Sequence, residues 1–124
     1  MPIDRVFMFL GALFGFIGVA AGAFGAHFLK DRLAPEMLAP FDTGAKYQLI
    51  HALALMAAVW AAVRYPYAFV RLAGWLFLAG TVIFSGSLYL LAWTSVRAWG
   101  AITPIGGLLL LAGWLSLAIG VLKG

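Results

Sequence analysis

Between Gly11 and Ala26 the chain reads GALFGFIGVAAGAFGA, with Gly11, Gly15, Gly18, Gly22 and Gly25 at steps of four, three, four and three. At 100° per residue these five positions fall within about 40° either side of one line along a helix. An apolar helix with such a stripe has no side chains on that face, so a neighbouring backbone can approach it closely. A mean step of about 3.5 residues argues for a left-handed seam rather than the isolated right-handed crossing of a lone GxxxG pair. The feature constrains architecture and specifies no reaction.

Hydrophobic residues make up 65% of the 124 positions and charged residues 10%, and the mean hydropathy is +1.07. These values lie far outside the soluble globular range. Reading between the charges leaves four apolar stretches, Val6–Ala26, Tyr47–Val63, Leu72–Val96 and Ala98–Leu122. Even the shortest covers roughly 25 Å of a hydrocarbon core about 30 Å thick. The first is longer than a signal-peptide core and is expected to be a retained helix. The sequence thus predicts an all-α, antiparallel four-helix integral membrane bundle, one membrane domain over 1–124 with spans at about 6–28, 45–63, 71–93 and 99–122.

Loop one, between spans one and two, is expected to hold a short interfacial helix. Leu33, Met37, Leu38 and Phe41 can share a face, Pro35 suits a first turn, Pro40 would stop the segment, and Asp42 or Thr43 would cap span two. Small residues recur elsewhere: Gly80 within span three, and Gly106, Gly113 and Gly120 at seven-residue steps in span four. Trp60 and Trp75 flank the Arg64–Tyr67 turn as an interfacial belt. Arg5, Arg64, Arg71 and Lys123 on one side balance Lys30, Arg32, Lys46 and Arg97 on the other. The first helix and the α-amino group favour cytoplasmic termini in a multi-pass bacterial inner-membrane protein. The net charge of +4 sits on short loops beside the spans, so membrane lipid is the expected partner and nucleic acid is not.

Polar intramembrane residues concentrate towards the loop-one and loop-three side. His27 ends span one, Tyr47, Gln48 and His51 open span two, Ser85, Ser87 and Tyr89 lie late in span three, and Thr103 with Pro104 opens span four. The opposite half is expected to be nearly dry. Such groups face a bundle interior or a cavity and tie helices together. Gln48 can fix the His51 tautomer, and Ser85 or Ser87 can accept from the Trp114 indole. A proton or small-solute pathway through His51, a proton carrier near neutrality, is the alternative reading, opposed by polar groups in only one half of the membrane. Bis-histidine haem ligation by His27 and His51 is a further one, opposed by His27 lying about 160° from Gly11 on an ideal helix. No metal set is implied, since two histidines and an amide lack the carboxylates and thiolates that complete such sites. No catalytic triad is implied either, since no acid lies within a span to orient the imidazole.

Read together, GAFGAH at 22–27, TGAKYQLIHALAL at 43–55, SGSLY at 85–89, and TPIGG at 103–107 with Gly113-Trp114 resemble a family. It is the small bacterial inner-membrane proteins catalogued as domain of unknown function 423, whose eukaryotic relatives are called transmembrane protein 256. The resemblance spans essentially the whole chain. It implies a four-span membrane protein and carries no biochemical activity or cofactor with it. The expected role is structural, in assembly, or in binding a lipid or membrane partner, without catalysis. The small-residue faces are also compatible with a homo-oligomer.

Overall fold

A computed structural model describes residues 3–123, apart from the side chain of Ala26. Its helices are α1 (Ile3–Val19), α2 (Ala26–Leu29), α3 (Leu38–Arg64), α4 (Ala68–Thr94) and α5 (Ala98–Lys123). The stretch Ala20–Gly25 joins α1 to α2 as a π-helix, so four helices are long and apolar enough to cross a membrane. Among the described residues there is no strand.

The short helical segment expected in loop one takes two forms, α2 and a 3-10 turn at Pro35–Met37. Pro35 opens that turn, where its missing N–H goes unused. Pro40, however, does not stop a helix. It lies in the first turn of α3, where no N–H is needed, so α3 starts at Leu38. Asp42 and Thr43 are accordingly inside the helix and do not cap it; Met37 holds the N-cap position. At the other end the chain turns sharply between Arg64 and Ala68. Tyr65 N–H bonds the Ala61 carbonyl at 2.6 Å, and the Arg71 guanidinium donates to the Pro66 carbonyl at 3.2 Å.

Extensive contacts among the described helices run in chain order, α1 on α3, α3 on α4 and α4 on α5. The glycines of α1 and of the π-helical stretch after it all look towards α3. A Cβ at Gly11 would lie 3.0 Å from Met56 Cγ, at Gly18 2.9 Å from Leu49, and at Gly25 3.0 Å from Phe41, with Ala52 and Ala45 opposite Gly15 and Gly22. The seam between α4 and α5 is tighter. Gly106, Gly113 and Gly120 stack on Phe84, Phe77 and Val70, each seven residues apart on the antiparallel partner. At Gly106 an added Cβ would run into the Phe84 backbone nitrogen, and at Gly120 it would stand 2.8 Å from that of Val70. Gly80 reciprocates: a Cβ there would stand 2.7 Å from Leu110. Phe7 reaches past α3 to Gly74 and meets Trp75 edge-on at 4.9 Å. Leu55, Val70, Ala73 and Phe77 are fully enclosed by this packing.

Candidate functional site

α3 and α5 run in the same direction on either side of α4, and at their middle they meet through one pair of side chains. The His51 Nδ1–H donates to the Tyr47 carbonyl at 2.8 Å, one turn back on α3, while Nε2 accepts the Trp114 indole N–H at 3.0 Å. A carbonyl can only accept and an indole N–H can only donate, so the two bonds together select the neutral Nδ1–H tautomer. Phe77 completes the aromatic surround, its ring 5.7 Å from His51 and 4.9 Å from Trp114. His51 is buried, and Tyr47 lies nearly parallel to it at 6.3 Å, with its own ring exposed.

This bridge corrects two expectations. Gln48 does not orient the imidazole; its Nε2 donates to the Phe14 carbonyl of α1 at 2.9 Å and its Oε1 accepts the Tyr89 hydroxyl at 2.7 Å. Gln48 and His51 stand only about 60° apart around α3, yet Gln48 reaches α1 and α4 while His51 reaches α5. Trp114 does not use Ser85 or Ser87 as acceptor. Ser85 bonds the Gly44 carbonyl at 2.7 Å, joining α4 to α3, and Ser87 pairs with Thr103 at 2.6 Å, joining α4 to α5. Thr103 can donate to Ser87 while Ser87 donates to the Phe84 carbonyl at 2.9 Å.

His27 stands apart, exposed and edge-on to Phe28. The half opposite loops one and three is not dry either. Ser116 donates to the Phe69 carbonyl at 2.6 Å there. Thr81, enclosed on α4 between the levels of Phe77 and Ser85, has a hydroxyl without a hydrogen-bond partner among the described residues.

On the loop-one and loop-three side of the His51–Trp114 bridge a cleft of about 510 Å³ lies between α3 and α5. Tyr47 and His51 form one wall, Pro104, Gly107, Leu108, Leu111 and Trp114 the other, and Phe84 with Leu110 the floor. The lining is overwhelmingly carbon. Its deepest polar atoms are already bonded to each other, and His51 has no uncommitted ring nitrogen to offer a metal or haem. Among the described residues no group of three or more His, Cys, Asp or Glu could hold a metal ion.

The chain matches the family described as protein of unknown function DUF423 over residues 21–107. It belongs to this family. A relative from Bacillus subtilis strain 168, UPF0382 membrane protein YwdK, is 39% identical over 120 residues, covering 96% of this chain and 98% of the relative. A UPF0382 membrane protein of Haemophilus influenzae is 45% identical, covering 94% of each chain. The UPF0382 inner membrane protein YgdD of Escherichia coli K12 is 40% identical, with 97% and 92% covered. No solved structure matches. With four apolar spanning helices, membership places the chain in the bacterial inner membrane as a small multi-pass protein.

Proposed function

We propose that this protein is a non-catalytic membrane component whose helices are fixed so as to present the α3–α5 cleft to the bilayer, where it binds the hydrocarbon chain of a lipid. The observation carrying this reading is the form of the cleft: carbon-lined, open between two helices, and closed at its inner end by a hydrogen bond that needs no further partner. Apolar cavities accept apolar occupants, and a satisfied polar pair adds no desolvation cost to binding. Catalysis finds little support, because a nucleophile needs a base that is free to take its proton. Transport through the His51 region has less support than lipid binding. A relay histidine must exchange protons, whereas both ring nitrogens here are committed, Nδ1 to the Tyr47 carbonyl on α3 and Nε2 to Trp114 on α5.

The test is native mass spectrometry of delipidated protein titrated with phospholipid. Wild type should hold one lipid per chain in a saturable way. Gly107→Leu should lower that occupancy at least tenfold, because a Cβ there meets only Phe84 ring atoms at 3.8 Å and the added side chain occupies the cleft instead of clashing. Equal occupancy in the two proteins would refute the reading.

A further inference from the structure

The α3–α5 cleft has a second cavity in line with it, about 360 Å³ and bordered by Glu36, Met37, Pro40, Leu91, Arg97 and Gly100. On α3 the lining moves from Pro40 to Tyr47 to His51, on α4 from Leu91 to Phe84, and on α5 from Gly100 through Pro104, Gly107 and Leu111 to Trp114. These are steps of seven, four and three, so both cavities lie on one strip of the same three helices. From Gly100 to Trp114 the strip is about 21 Å long at 1.5 Å per residue. Half of a bilayer, headgroups included, is about 20–22 Å. The strip therefore has the length of one lipid in one leaflet, with Trp114 near the midplane.

Its outer end carries both signs of charge. Glu36 and Arg97 are exposed and border the same cavity, and among the described residues neither belongs to an ion pair. A third polar group comes from the backbone. Pro104 has no N–H, so the carbonyl of Gly100, a residue bordering this cavity, lacks its helical donor four residues on. One cation and two acceptors describe the complement of a zwitterion. A guanidinium receives a phosphate through paired N–H donors, and a carboxylate with a carbonyl receives the N–H donors of an ammonium.

Resting on the lipid reading of the cleft, we propose that the occupant is a phospholipid with a primary-amine headgroup, of the phosphatidylethanolamine type. Its phosphate lies against Arg97, its ammonium against Glu36 and the Gly100 carbonyl, and one acyl chain follows α3 and α5 to Trp114. A quaternary ammonium carries the charge but no N–H for the two acceptors. A glycerol headgroup leaves Glu36 without a cation.

The experiment is competition on the delipidated full-length protein, using an equimolar mixture of phosphatidylethanolamine, phosphatidylcholine and phosphatidylglycerol with identical chains, read by native mass spectrometry. Exposed charges are screened, so the expected preference for phosphatidylethanolamine is about two- to fivefold over each competitor. Glu36→Gln should bring it level with phosphatidylcholine while total binding persists, and Arg97→Gln should weaken all three. Equal adducts in wild type, preference for phosphatidylglycerol, or an amine preference that survives Glu36→Gln would overturn the headgroup assignment. Gly107→Leu separates the two levels. If it removes adducts that show no headgroup preference, the cleft reading stands and the headgroup assignment falls; if it leaves adducts unchanged, both fall.

Discussion

Helix α5 presents two faces that lie one residue apart and behave in opposite ways. Gly106, Gly113 and Gly120 are buried against α4, close enough that a methyl group at any of them would meet Phe84, Phe77 or Val70. Gly107, Leu108, Leu111 and Trp114 face α3 across open space. Both faces are apolar, so hydrophobicity does not distinguish them, and in lipid it would not drive helices together in any case. What differs is size at matched positions. Where glycine recurs every seventh residue opposite a partner of the same period, backbones close to contact. Where Trp114 projects at the same depth as His51, a single hydrogen bond holds the helices apart at a fixed distance.

The sharpest way to break this comparison is to substitute the adjacent glycines alike. Gly106→Leu should cost about 3 kcal/mol or more, because the clash is with backbone and cannot be relieved by a rotamer change. Gly107→Leu should stay within about 0.5 kcal/mol of wild type. Unfolding in mixed micelles, followed by circular dichroism, compares the two.

His51→Leu addresses the cleft face alone. It leaves the Trp114 N–H without an acceptor, and about 1–2 kcal/mol of stability should be lost. The loss should shrink in a Trp114→Phe background, which a double-mutant cycle would measure.

Ser87→Ala removes the pairing with Thr103 across the tight seam and should cost about 0.6 kcal/mol, the usual scale for hydrogen bonds between membrane helices. The smallest effect is expected at Thr81. Its hydroxyl has no partner to lose, so Thr81→Val should be neutral or slightly stabilising in the same assay.

Membrane spans and the small-residue periods could be read from sequence because both are properties of one helix at a time. The direction in which the Gly11–Gly25 stripe faces, and the sequential contacts that let α3 and α5 diverge, depend on all four helices and left no local trace. Pro40 misled for a physical reason, since a proline in a first turn looks the same in sequence as one that ends a segment. Placing the start of α3 at Leu38 puts His51 about 20 Å along the helix. That depth brings it level with Trp114, whereas a start near residue 45 makes it look shallow. The polar residues were legible as a set and their partners were not. Several of the bonds run to backbone carbonyls, on other helices at Phe14, Gly44 and Phe69 and about one turn away at Tyr47 and Phe84, and a carbonyl is present at every residue of a sequence.

If the cleft holds an acyl chain as proposed, Trp114 stands beside it at the inner end. The most direct test of that placement is quenching of Trp114 fluorescence by phospholipids brominated along the chain, in a protein whose Trp60, Trp75, Trp93 and Trp99 are phenylalanine. Quenching should saturate at a mole fraction of brominated lipid well below that needed for a protein retaining only the lipid-exposed Trp93, and Gly107→Leu should abolish that high-affinity phase. Identical titration curves for Trp114 and Trp93, unaffected by Gly107→Leu, would contradict it.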